Sequence, residues 1–428
     1  MEHQTNIFWR FYEKMKKKFL SMAVACSMLA AVGSSALTAN AIEIEEETSQ
    51  AVVLEEAVGA AVDEEIIGAV LDEEPAEAAA ETENSSDSVY QGTLSYKIEN
   101  DSTVTITKYN GEYVSYTIPS KIEGKPVRKI GSEAFKSSDL ESVVIPYGVT
   151  SIQKSAFSMC KKLKNISIPE SVAEIGTQAF SYCRSLEKIN IPGKVAIINQ
   201  FTFSNCSSLR NADIGNGITE IGSYAFNDCT ALTNIVIPSS VKKLGGTAFL
   251  NCTSLKEVTL SEGLENIGVG TFRNCTSLRS ISIPKTVTAI PLLAFDGCTN
   301  LRGIAVNDST SYGKSDSVFS NCPKLTIYGN KGSHSETYAN KYNIPFKPLS
   351  KFESDMNSGK TGDIDDDGKV TSLDALLVLR YSVGIEYFTE REKNLANVDG
   401  DKKITSADSL SILRYSVGIK DKDTEFYK

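Results

Sequence analysis

Two stretches near the C-terminus carry the residue types that hold a hard cation. The first places Asp363, Asp365, Asp367, Lys369, Thr371 and Asp374 at positions 1, 3, 5, 7, 9 and 12 of a run, and the second places Asn397, Asp399, Asp401, Lys403, Thr405 and Asp408 at the same positions, 34 residues on. Side-chain oxygens at 1, 3, 5 and 12, a backbone carbonyl at 7 and a water-bridging group at 9 supply the roughly six to eight oxygens that calcium takes. Asp-rich turns are common, because Asp and Asn favour turns. Two runs that agree at every ligand position are far more specific, so each predicts a calcium site.

The two sites are not equal. Position 6 needs a sharp turn, and it is Gly368 in the first run but Lys402 in the second. Holding a lysine at positive φ costs about 1 kcal/mol, so the second site is expected to be the weaker. Each run is followed by the same helical phrase, Leu377-Val378-Leu379-Arg380-Tyr381-Ser382-Val383-Gly384 and Ser411-Ile412-Leu413-Arg414-Tyr415-Ser416-Val417-Gly418. Neither is expected to follow a helix. This duplicated loop-and-helix unit resembles the type I dockerin. The resemblance implies a small all-α calcium-binding domain over residues 362–422, two bound ions, and a cohesin domain of a scaffoldin as partner. It also implies that the partner is met by Ser372, Leu373, Arg380 and Tyr381 in one half and by Ser406, Ala407, Arg414 and Tyr415 in the other. Because the halves nearly match, it implies that either can be presented.

What carries this unit is a long internal repeat. From Val127 to about Leu325 the template V-x-x-I-G-x-x-A-F-x-x-C-x-x-L-x-x-I-x-I-P recurs, with its phenylalanine at Phe135, Phe157, Phe180, Phe203, Phe226, Phe249, Phe272, Phe295 and Phe319. A period of about 23 residues means a solenoid in which each turn buries its apolar face against its neighbours. Segments such as Ile166-Ser167-Ile168-Pro169 alternate, as a short strand with one buried face does, and Pro ends them. The fold class is therefore a mainly β solenoid with parallel strands. Nine strands at about 4.8 Å make a rod on the order of 40 Å long. The pattern resembles the BspA-like leucine-rich repeat of bacterial surface and secreted proteins.

Terminal turns must be atypical, because their outer face meets water. Tyr96, Ile98, Val104, Ile106 and Tyr109 around Asn110-Gly111 predict an N-terminal hairpin within residues 94–118. At the far end Gly332-Ser333, Tyr338, Ala339, Tyr342 and Phe346 break the template and resemble the family's closing cap. The repeat domain is thus placed at residues 91–349, with a polar linker at 350–361. Eight cysteines, from Cys160 to Cys322, each follow the repeat phenylalanine by three residues. An even count in a secreted chain would argue for disulfides. The period argues instead for free, buried thiols stacked rung on rung, since parallel rungs keep Cβ vectors parallel where a bridge needs them to converge.

The N-terminus carries Lys14, Lys16, Lys17 and Lys18, an apolar run from Phe19 and the small residues Ala39-Asn40-Ala41, the order of a secretory signal peptide. Residues 1–41 are read as that signal, with Met15 as an alternative start. Cys26 as a lipid acceptor, or Phe19 to Ala39 as a retained anchor, is the lesser reading. Residues 42–90 hold 16 Asp or Glu and no Lys or Arg, too much like charge and too little apolar surface to fold, so they read as a disordered acidic spacer. The net charge of −10 belongs to that segment; the rest is net positive by about 6, and nothing supports nucleic-acid binding.

Beyond the signal the one histidine is His334, which removes most routes to a Ser-His-Asp or Cys-His nucleophile and any His-rich zinc site. The outward strand positions, Val144, Ser167, Asn190, Asp213, Val236, Thr259, Ser282 and Ala305, offer no aromatic platform for sugar stacking. The sequence therefore reads as a secreted, non-enzymatic protein without a membrane span after cleavage, held at the cell surface through a scaffoldin complex. Its repeat domain would recognise a protein. The alternatives are a carbohydrate-binding accessory of polysaccharide catabolism, or a hydrolase or protease inhibitor.

Overall fold

The computed structural model describes residues 92–313 and 316–419; the signal peptide and the acidic spacer read from the sequence lie outside them. Eleven strands, from Ser115–Thr117 through Lys188–Ile191 and Ser280–Ser282 to Phe346–Pro348, line one face of a parallel solenoid. Their register advances by one repeat at each step, with Lys188 opposite Asn211, Asn234 opposite Glu257 and Ser280 opposite Gly303. There are more than nine because both caps contribute rungs: Ser115–Thr117 pairs with Ser142–Val144, and Phe346–Pro348 with Thr326–Gly329.

A second parallel ladder, which the template did not announce, runs through the V-x-x-I-G segments as two-residue strands such as Ser151–Ile152, Glu174–Ile175 and Glu220–Ile221. Between the ladders the repeat phenylalanines stack ring on ring, with centroids 4.9 to 5.7 Å apart from Phe135 to Phe319. Each turn also places residues in the left-handed region, among them Met159, Tyr182, Asn205, Asp228, Asn251 and Asn274. Single residues tolerate this where the surroundings fix them. Here the next rung does so: the Met159 amide donates to Ser181 O at 2.7 Å, and the Tyr182 amide to Ser204 O at 2.8 Å.

The cysteines form a hydrogen-bonded ladder. Each thiol donates to the carbonyl of a phenylalanine on the preceding rung, Cys183 to Phe157 at 3.1 Å and Cys229 to Phe203 at 3.2 Å. All eight are free, and seven are buried. Burial pushes the Cys206 and Cys322 thiols up to about 12, which keeps them protonated donors and weak nucleophiles. A reductant is therefore expected to leave the melting temperature unchanged, with the seven buried thiols reacting only after denaturation. Cys229→Ala should cost about 1 to 2 kcal/mol, the methyl-sized cavity and the lost hydrogen bond together. A large fall in melting temperature with reductant would instead reveal bridges.

Three local expectations are corrected. The N-terminal hairpin pairs Leu94–Ile98 with Val104–Tyr109 and turns through Glu99 to Thr103, not at Asn110-Gly111; Val104–Tyr109 already joins the second ladder through Lys125–Ile130. Ala305 is buried rather than outward, because Phe352 packs over it with Tyr328. Phe352 belongs to helix α2 (Phe352–Asn357), which follows cap helix α1 (His334–Lys341) and occupies the stretch read as a linker. The polar composition of 350–361 hid the anchoring role of Phe352 and Met356.

Candidate calcium-binding and partner-binding site

Each loop runs into a helix that its own residues start. Thr371 and Thr405 cap α3 (Ser372–Ser382) and α5 (Ser406–Ser416), and Asp374 and Asp408, at the third helical position, complete reciprocal capping boxes. A fourth expectation, that neither loop follows a helix, also falls. A short helix, α4 (Glu390–Ala396), leads directly into Asn397, started by the Thr389–Glu392 capping box. The helices close over a core of Ile364, Val370, Val378, Phe388, Leu395, Val398 and Ile412, and Ser409 Oγ donates to Ala375 O at 2.7 Å between the two halves.

In the first loop, carboxylate oxygens of Asp363, Asp365 and Asp374 lie within 4.8 Å of one another. Asp374 is fully buried and accepts from the Ile364 and Thr371 amides at 2.7 and 2.8 Å. Asp363 accepts from the Asp367 and Gly368 amides, and Asp367 from the Lys369 amide. The second loop repeats this, with Asp408 bound by the Val398 and Thr405 amides, Asn397 by Gly400, Asp399 by Asp401 and Asp401 by Lys403. Lys369 and Lys403 are exposed and can serve only through their carbonyls.

Burial holds the carboxyls of Asp363, Asp365 and Asp408 above their ordinary range, and neighbouring loop acids add to the shift. An all-oxygen, carboxylate-dense donor set of this kind suits a hard divalent cation. Position 6 is left-handed in both loops, Gly368 at φ 91° and Lys402 at φ 68°. Position 4 is left-handed as well, Asp366 at 64° and Gly400 at 76°. Each loop thus strains one non-glycine residue, and Asp tolerates this better than Lys.

The partner residues predicted from sequence fall on two sets of surfaces. Ser372, Leu373, Ser406 and Ala407 are exposed, Leu373 at 50%. Arg380 pairs with Glu386 at 3.5 Å, and Tyr381 stacks on Phe388 at 4.5 Å. Arg414 and Tyr415 are half-buried, and Lys360 lies 5.7 Å from the Tyr415 ring.

Residues 128–252 and 219–336 match the BspA type Leucine rich repeat region, in six copies, and residues 361–415 match the Dockerin type I domain. The chain is a BspA-type leucine-rich repeat protein with a C-terminal type I dockerin domain. No curated protein matches it. Among solved structures it is similar to a leucine rich cell surface protein from Faecalibacterium prausnitzii, at 25% identity over 62% of this chain and 98% of that one, TM-score 0.28. It is also similar to a leucine rich repeat protein from T. pallidum, at 25% identity, 60% and 95% coverage and TM-score 0.32, and to one from Bacteroides ovatus, at 23% identity, 60% and 98% coverage and TM-score 0.27. Both families of this repeat protein are interaction domains. Among its described residues no helix is long and apolar enough to cross a membrane.

Sequence reasoning missed a third group. Asp366, Glu386 and Glu392 of the dockerin face Arg279, Arg302 and Lys256 of the solenoid. The signal lay in the residue after the repeat leucine, which reads Arg210, Thr233, Lys256, Arg279 and Arg302 on successive rungs.

Proposed function

We propose that this protein is a secreted, non-catalytic interaction protein. In this reading residues 1–41 are its signal peptide, 42–90 a spacer, 91–349 the repeat domain, 350–361 a connector and 362–422 the dockerin. The dockerin holds calcium in two loops, more weakly in the second, and binds a cohesin on a scaffoldin, so that the repeat domain rides on an extracellular complex. The observation that carries this is the pair of exposed positions, Ser372-Leu373 and Ser406-Ala407, at positions 10 and 11 of the two loops, the first beside the Asp363, Asp365 and Asp374 carboxylates.

Titration calorimetry against a cohesin tests it. If both halves serve equally, Arg380→Ala alone costs only RT ln 2, about 0.4 kcal/mol, whereas Arg380→Ala with Arg414→Ala costs several. Abolition of binding by Arg380→Ala alone would mean one fixed orientation, and no heat in calcium would overturn the cohesin reading. For the repeat domain, protein recognition is the first reading. A polysaccharide-binding role is the second, favoured by the exposed rings of Tyr113 and Tyr147, which lie off the strand face. Retention on plant polysaccharide against capture of secreted proteins separates them.

A further inference from the structure

The solenoid presents a basic column. Lys256, Arg279 and Arg302 each directly precede a strand, at Glu257, Ser280 and Gly303, on consecutive rungs, so their stems start about 4.8 Å apart. Against them lies the acidic side of the dockerin's first half. Lys256 Nζ is 3.2 Å from Glu392 and 3.8 Å from Glu386. Arg279 Nη1 is 3.6 Å from Asp366 Oδ2, the oxygen that also pairs with Arg302. Arg279 and Arg302 reach the loop backbone too, donating to Asp365 O at 3.1 Å and Asp366 O at 3.5 Å, while Arg210 donates to Ile385 O at 3.3 Å. Arg391, from within the dockerin, holds the other Asp366 oxygen at 2.9 Å.

These are not loose surface pairs. The side chains of Glu392 and Asp366 are 3% and 12% exposed. Charges this desolvated depend on their partners, because removing one leaves the other buried and unpaired. The internal duplication of the dockerin sharpens the point. The residue matching Asp366 in the second half is Gly400, and the one matching Glu386 is Lys420. The two halves are identical at loop positions 3, 5, 7, 9 and 12 and at the Arg-Tyr pair, yet differ where the first half touches the solenoid. Asp366, at position 4, has no ligand role to retain it.

We propose that the Lys256–Arg279–Arg302 column is a docking site for the first half of the chain's own dockerin, which fixes the two modules as one body. Ser372, Leu373, Ser406 and Ala407 stay exposed in that arrangement, so docking and partner binding are compatible. The solenoid is then held at a set angle to whatever the dockerin engages, instead of swinging on a tether.

Zero-length carbodiimide cross-linking of the full chain in calcium, read by mass spectrometry, tests this. The 3.2 Å contact predicts a Lys256–Glu392 cross-link. Asp366→Gly combined with Glu386→Lys rewrites the first half with residues the second half already uses, and should cut its yield at least tenfold and raise the radius of gyration. Should that variant lose its helical circular dichroism, Arg279→Gln with Arg302→Gln makes the same break from the solenoid side. This pair should leave cohesin affinity within about twofold. Absence of the cross-link in the unaltered protein, or an equal yield in a folded variant, would overturn the proposal. Cohesin titration is scored separately, so a missing cohesin signal beside an intact cross-link defeats the partner reading and leaves docking standing.

Discussion

Chelating calcium from the intact protein is expected to melt the dockerin and leave the solenoid standing. The first loop crowds Asp363, Asp365 and Asp374 within 4.8 Å, and burial already resists ionisation of Asp363 and Asp365. Like charges at that range repel strongly. The core that would have to hold them together is small, a cluster around Val378, Phe388 and Ile412, so metal-binding free energy becomes folding free energy. The helical signal of α3, α4 and α5 should fall with chelator and return with calcium, and hydrogen exchange should speed up over residues 362–419 alone. Asp374→Ala should hurt more than Asp408→Ala if the Lys402 loop is the weaker. Unchanged circular dichroism in chelator would defeat the expectation.

The largest single-residue effect should sit in the middle of the phenylalanine stack. Phe226 is fully buried between Phe203 and Phe249, with centroids 5.2 and 5.4 Å away. Removing a ring from so tightly enclosed a site costs about 3 to 5 kcal/mol, and it also breaks the contact between two blocks of rungs. Phe319 stacks on Phe295 alone, meets Tyr338 edge-on and is 6% exposed. Phe319→Ala should therefore cost less. Urea unfolding of the two variants compares them directly, and equal losses would mean that the stack does not carry stability from rung to rung.

Much of this was legible because the repeat states its own register: the period placed the phenylalanines, the thiols and the strands, and the loop spacing placed the carboxylates. What stayed hidden lacked a period. Strands of two residues, such as Ser151–Ile152, are too short to alternate. Helix α4 is a charged stretch with no apolar stripe, started by Thr389 and Glu392. Phe352 and Met356 are isolated apolar residues in a polar stretch, and only Ala305 and Tyr328, against which they pack, give them a function. Asp366 looks like one more loop acid until the arginines beside it are seen.

The contacts between solenoid and dockerin fall on the rungs from Arg210 to Arg302, towards the C-terminal cap. The rungs further upstream continue the same parallel stack. Whole repeats could be inserted or excised there without disturbing the anchored end, each changing the reach of the free arm by about 4.8 Å. The molecule is then a gauge with one end fixed, its span set by the number of repeats between anchor and tip.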